Sequence, residues 1–253
     1  MSTRALIILT GASRGLGAAM AAQLRDASVR LLTLSRRPNP ALTTGDAHAG
    51  GLNEQWSVDL NDGVGASRKL EAWLGQQDRT QYASVTLINN AAVAGRAVSI
   101  DQEDAESLAS VLRVGLEAPL LLMSAFLRAT RDWNIPRKVL NISSGAGKKS
   151  LSGAAAYCAV KAGLDHLSRV VALDETLRAN SAKIVSLAPG VIDTDMQTAL
   201  RESDPNDFPS QPLFAEMKAS GQLSSPHDAA ARVLAYLGRA DFGTHPVADV
   251  RDS

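Results

Sequence analysis

Short apolar runs alternate along the chain with longer stretches in which apolar residues recur every three or four positions. The runs predict strands over Ala5–Thr10, Val29–Ser35, Gln55–Val58, Val85–Asn89, Lys138–Ile142, Lys183–Leu187 and Pro246–Val250. The periodic stretches predict helices over Gly15–Ala27, Val64–Gln77, Asp104–Thr130, Gly153–Ala179 and Pro226–Gly238. Several runs are apolar at nearly every position, as strands covered on both faces require. This alternation predicts an α/β fold: one domain over 1–253, with a doubly wound, seven-stranded parallel sheet and helices on both faces. The last helix starts on clear signals, with Ser225 as N-cap, Pro226 at the first position and Asp228 in the first turn. Two segments interrupt the pattern. Pro38–Gly51 is rich in Pro, Thr and Gly and reads as a surface loop. Arg201–Gln222 carries three prolines and several charges. The wider stretch 196–225 is expected to be a substrate lid, with a plain insertion as the alternative.

Composition narrows the function classes. Of 253 residues, 45% are hydrophobic and 21% charged, which excludes a disordered or fibrous chain. The 26 Lys and Arg balance 26 Asp and Glu, which argues against a dedicated nucleic-acid partner. Cys158 is the single cysteine, so no intrachain disulfide forms. His48, His166, His227 and His245 show no ligand spacing, and no metal is expected. The run Ala5–Leu9 is too short for a signal-peptide core, and no run approaches the ~18 apolar residues of a membrane span. A cytoplasmic protein without a membrane partner is expected.

The run Thr10-Gly11-Ala12-Ser13-Arg14-Gly15-Leu16-Gly17 follows the first strand and opens the first helix. Glycine allows a tight turn and close approach of the backbone to a pyrophosphate. The helix N-terminus adds N–H donors and the positive end of its dipole. In this strand–turn–helix context the motif points to a dinucleotide-binding Rossmann fold. Its TG-x3-G-x-G spacing resembles the classical branch of the short-chain dehydrogenase/reductase family. Further motifs carry the resemblance along nearly the whole chain: Asp59-Leu60, Asn89-Asn90-Ala91-Ala92, Asn141-Ile142-Ser143-Ser144, Tyr157-Cys158-Ala159-Val160-Lys161 and Pro189-Gly190-Val191-Ile192-Asp193-Thr194. The resemblance implies a cofactor held by Gly11, Ser13, Arg14, Gly15, Leu16, Gly17, Ser35, Arg36, Asp59, Leu60, Asn89, Asn90, Ala91, Tyr157, Lys161, Pro189, Gly190, Ile192 and Thr194.

Tyr157 and Lys161 are four apart in a helical pattern and so share a face. A phenol titrates near ~10, and a neighbouring ammonium is expected to lower that value. Tyr157 can then give its proton to a carbonyl oxygen as hydride reaches the carbon. Ser144 ends the fifth predicted strand and can hold the same oxygen. Ser143 is the alternative, and the family's spacing favours Ser144. The family's usual fourth member, an Asn that anchors a relay water, aligns with Gly115, which weakens the usual proton relay. Cys158 lacks a redox partner and reads as a packing residue, and the histidines read as ordinary surface or helix residues.

The second strand ends Leu34-Ser35-Arg36-Arg37, with no acid to bind a ribose 2′-hydroxyl. Guanidinium groups at Arg14 and Arg36 suit a 2′-phosphate, and NADPH is expected. The alternative is that Arg36 and Arg37 are solvated loop charges. The run Ala188 to Gln197 and the segment Lys218 to Leu223 resemble the sepiapterin reductase and bacterial benzil reductase branch. The resemblance implies an NADPH-dependent carbonyl reductase acting on ketones or vicinal diketones, with Ser144, Leu151, Ala154, Tyr157 and Met196 at the substrate. Leu151 and Ala154 stand where that branch carries aromatic residues, which weakens any pteridine assignment. Asp249 is a candidate substrate anchor or only a strand-end acid. The competing readings are an NADP-dependent alcohol, steroid or acyl dehydrogenase, and a non-catalytic NADP-binding regulator. A homo-oligomer is expected from the long Ala-, Leu- and Val-rich helices.

Overall fold

The computed structural model describes residues 4–42 and 53–252. Seven parallel strands lie in the order β3-β2-β1-β4-β5-β6-β7. Their ranges are β1 Arg4–Thr10, β2 Val29–Ser35, β3 Asn53–Ser57, β4 Tyr82–Asn89, β5 Arg137–Ile142, β6 Lys183–Ala188 and β7 Val247–Asp249. The expected doubly wound sheet is therefore present, and its order reverses between β1 and β4, where such sheets open a crevice at their carboxyl ends.

Alternate residues of β1 feed two cores. Leu6 and Ile8 enter one, with Leu70, Leu122 and Phe126. Ile7 and Leu9 enter the other, with Met20, Val233 and Phe242. The first core is roofed by α2 (Gly63–Gly75) and α4 (Ala118–Ala129), and the second by α1 (Gly15–Gln23) and α8 (Pro226–Gly238). The unbroken apolar run Leu6–Leu9 of β1 thus follows from burial on both faces.

The helix expected over Asp104–Thr130 is built in three parts. α3 (Ala105–Leu112) passes through a π turn, Arg113–Glu117, into α4. This stretch is long and apolar enough to cross a membrane, but just over half of it is buried in the protein. α5 (Ala155–Thr176) follows β5 and packs on β6. The segment 196–225 holds two helices that periodicity missed, α6 (Asp195–Arg201) and α7 (Gln211–Ala219). Both are short, and prolines flank or enter α7. Within Pro38–Gly51, residues 43–51 lie outside the described residues, as does His48. Of the described residues in this expected surface loop, Asn39 and Leu42 are buried.

Candidate active site

The glycine turn is shaped by contacts that leave no room for side chains. Gly11 has φ +72°, and a Cβ there would come within 2.8 Å of Ala91 Cα. A Cβ on Gly17 would sit 2.1 Å from the Gly11 carbonyl oxygen, so only glycine lets α1 start this close to the turn. Neighbouring strands hold the turn. Thr10 Oγ1 accepts from the amides of Asn90 (2.9 Å) and Ala91 (3.0 Å). Asn90 Nδ2 donates back to the Thr10 carbonyl at 3.0 Å. The Ala12 amide donates to Ser35 Oγ at 2.9 Å, so the Ser35 hydroxyl props the turn from below. No side chain caps the start of α1, and its first turn carries no acid. A cradle that a Cβ would fill, beneath uncapped amides, fits a dinucleotide pyrophosphate.

The loop after β6 closes over this turn. Gly190 has φ +84°. Residues 191–193 are pinned by Ser224, which accepts from the Asp193 amide at 2.9 Å and donates its own amide to Val191 at 3.0 Å. Thr194 then arrives beside Gly15, its Cγ2 3.5 Å from a Cβ built there. Asn89 is placed differently from its neighbours. It is buried in the sheet, donates to Asn141 at 2.8 Å and leaves its own oxygen without a partner, so its side chain belongs to the scaffold beneath the crevice. Leu16 and Leu60 are also buried, whereas Asp59 is exposed and accepts from both nitrogens of Asn61. Arg36 is exposed, and Arg14 reaches Asp195 at 3.2 Å.

At the end of β5 the two serines part. Ser143 Oγ donates to buried Asp165 at 2.6 Å and is consumed there. Ser144 Oγ instead accepts from the Ala146 amide at 3.2 Å, and the Ser144 hydroxyl acts on the Tyr157 phenol, favouring its ionised form. Lys161 is 3% exposed, and its Nζ donates to the Ile142 carbonyl at 2.7 Å. That nitrogen stands 5.5 Å from the centre of the Tyr157 ring. Burial pulls the Lys161 ammonium down to about 8, against the opposing pull of Asp165. Burial likewise pushes the Tyr157 phenol above its ordinary value, although Ser144 works the other way. Desolvation of the phenol, rather than the Lys161 ammonium, thus sets the direction of the Tyr157 shift, opposite to the lowering expected.

A family model described as short chain dehydrogenase matches residues 5–205. The chain belongs to this family. It is 35% identical over 243 residues to a benzil reductase ((S)-benzoin forming) of Bacillus cereus, covering 93% of this chain and 95% of that one. Against a sepiapterin reductase of Mus musculus it is 31% identical over 257 residues, covering 95% of each. The branch expected from the motifs is the one found. A solved short-chain dehydrogenase/reductase from Saccharomyces cerevisiae shares the fold at a TM-score of 0.80 and 22% identity, with 98% of this chain and 96% of that one covered. The chain is thus an oxidoreductase of a family that binds NAD(P).

Several positions of this short-chain dehydrogenase take their meaning only from packing. Gly115 lies in the π turn, and a Cβ on it would meet Val160 Cγ1 at 2.5 Å. Val160 therefore fills the space in front of the position where the family's Asn was expected. Leu151, Ala154 and Met196 are half-buried, near the start of α5 and in the first turn of α6. Asp249 is held by Arg251, which donates from Nε at 2.8 Å and Nη2 at 2.5 Å. That guanidinium holds the Asp249 carboxyl below the usual range. Cys158 is half-buried, His166, His227 and His245 are exposed, and no metal-ligand cluster occurs among the described residues. Sequence reasoning missed Asp165, which orients Ser143 and Ser186 from α5. Its signal was present, since it lies one helical turn beyond Lys161.

Proposed function

We propose that this short-chain dehydrogenase is an NADPH-dependent carbonyl reductase acting on ketones or vicinal diketones, with Tyr157 as the proton donor. The observation that carries the reading is the Tyr157 ring 5.5 Å from the buried Lys161 nitrogen, which the Ile142 carbonyl fixes at the end of β5, with desolvation keeping the phenol protonated. Bound NADPH supplies hydride to the carbonyl carbon. Ser144 holds the carbonyl oxygen, and Tyr157 donates its proton to that oxygen as negative charge develops, so the product is the alcohol. A phenol above its ordinary pKa is fully protonated at neutral pH, the state that reduction needs. Lys161, fixed by the Ile142 carbonyl, holds the nicotinamide ribose.

Gly11, Ser13, Gly15 and Gly17 cradle the pyrophosphate, with Thr194, Pro189, Gly190 and Ile192 over it. Asn90 and Ala91 flank the turn, and Asp59 and Leu60 border the adenine. The choice of NADPH rests on Arg36, just past the end of an acid-free β2, and on Arg14 in the glycine turn. Arg14 must leave Asp195, an exposed pairing worth at most about 1 kcal/mol. Segment 196–225 is the substrate lid, and Leu151, Ala154 and Met196 line the cleft with Ser144 and Tyr157. A second copy of the chain is the expected partner. NADPH oxidation with a panel of diketones and aromatic ketones tests the reading. Tyr157→Phe should lose ~10²–10⁴ in rate while still binding NADPH. Near-normal turnover in that variant would remove Tyr157 as the acid.

A further inference from the structure

The segment 196–225 is tied to the rest of the chain in two unequal ways. One of its charged contacts, Arg201 with Asp193 at 3.2 Å, is partly buried, and the others are more open to solvent. Lys218 Nζ meets Asp193 at 2.6 Å, and Arg14 meets Asp195, at the segment's root, at 3.2 Å. Exposed pairs of this kind contribute little, because water solvates both partners nearly as well when they part.

The apolar tie is different in kind. Phe208 is 0% exposed, although it lies in a polar, proline-flanked stretch. Its ring edge rests on Gly153, where a Cβ would come within 2.8 Å of Phe208 Cδ2 and 3.1 Å of the Asp207 carbonyl oxygen. Gly153 has φ +77°, so this seat needs glycine twice over, for its backbone and for its missing side chain. The Val98 amide borders the same space at 3.5 Å. Phe214 of α7 packs behind Phe208, with ring centres 5.5 Å apart. The turn itself is fixed by Phe208 N donating to Asp204 O at 2.8 Å and Gln211 Nε2 donating to Arg201 O at 2.6 Å.

The two anchors lie on opposite sides of the site. Thr194, just before the segment, touches the position of Gly15 in the glycine turn. Phe208 touches Gly153, four residues ahead of Tyr157. The chain between them therefore runs from the cofactor cradle to the start of the catalytic helix.

We propose that Phe208, seated on Gly153, is the positioning residue that fastens this segment over the substrate cleft, and that their contact sets carbonyl-substrate affinity. The proposal rests on the carbonyl-reductase reading above. A fastened segment presents a formed cleft, whereas an unfastened one must be closed with part of the substrate's own binding energy. Loss of the contact therefore raises KM. Once substrate has closed the segment, the chemical step is unchanged and kcat holds. NADPH binds chiefly through the glycine turn and the β6 loop, so its affinity holds too.

The test uses Phe208→Ala and Gly153→Ala in the intact chain, assayed with NADPH and a diaryl diketone. Truncating a fully buried ring should raise KM by about tenfold or more, with kcat and the NADPH Kd each within about threefold. Gly153→Ala should give the same split by expelling the ring. The double variant should be no worse than either single one, because both remove one contact. Phe208→Leu keeps an apolar plug and should recover most of the affinity. In the NADPH complex, amides of 204–219 should exchange hydrogen faster in Phe208→Ala than in the parent. An unchanged KM, parallel losses of NADPH affinity, additive losses in the double variant or unchanged exchange would each overturn the proposal. If the parent reduces no carbonyl in the panel, the carbonyl-reductase reading falls, and the exchange experiment alone decides whether Phe208 fastens the segment.

Discussion

Lys161 and Tyr157 divide the titration of the site between them. Burial holds Lys161 at about 8, against an ordinary 10.5. Below about 8 the folded chain carries a buried ammonium that the unfolded chain solvates freely, so the full penalty is present there. Between about 8 and 10.5 the unfolded chain binds more protons, and stability rises with pH across that window. Denaturant titrations at successive pH values should show this rise in the parent and not in Lys161→Met. A flat parent profile would mean that Lys161 is solvated. Arg36 is the second residue with a single measurable consequence. Arg36→Asp sets an anion against the 2′-phosphate, so NADPH should weaken by more than about tenfold while NADH changes little. Equal losses for the two cofactors would make Arg36 structural.

Among the elements, the π turn between α3 and α4 carries the departure from the family pattern. Gly115 and Val160 are complementary in size between the π turn and α5, since a Cβ at Gly115 would lie 2.5 Å from Val160 Cγ1. Gly115→Asn alone overpacks a buried contact and should cost about 1–3 kcal/mol of stability, read by urea unfolding. Adding Val160→Ala should return most of it. With the fold restored, the new Asn can hold a relay water, and plain aromatic ketones should gain rate more than electrophilic diketones. Unchanged rates on both classes, with an unchanged solvent isotope effect, would show that proton supply does not run past this position. The turn also explains why periodicity predicted a single helix here: it inserts without a polar break, and Pro119 is accommodated in the first turn of α4.

On the scale of the whole molecule, the surface of α3, α4 and α5 is unusually apolar. Leu112 and Leu120 are 45% and 43% exposed, Leu173 is 68% and Leu177 82%. A second copy packing these helices against its own would cover them by two-fold symmetry. Light scattering should give a multiple of the 26.6 kDa chain mass, and Leu173→Glu with Leu177→Glu should reduce it to the monomer. A monomeric parent at micromolar concentration would assign that surface another role.

The strand positions, the glycine turn and the Tyr157–Lys161 pair were legible in the sequence because each is local, whereas the order of the strands in the sheet came only from the fold. An apolar run, a glycine spacing and a one-turn helical interval each state their geometry within a few residues. Even Asp165 sat at a readable spacing from Lys161. What the sequence could not state were the contacts between distant segments. Ser143 and Ser144 are adjacent and chemically identical, and only Asp165, brought in from α5, turns one inward and leaves the other to Tyr157. The direction of the Tyr157 shift depends on how far the folded chain desolvates the phenol. Gly115 reads as a missing Asn until Val160 is seen filling its space, and Gly153 reads as a helix-start glycine until Phe208 is seen resting on it. Local order follows from backbone periodicity, which sequence carries directly, whereas pKa, the choice between like neighbours and size complementarity follow from desolvation and close packing, which exist only once the chain has folded.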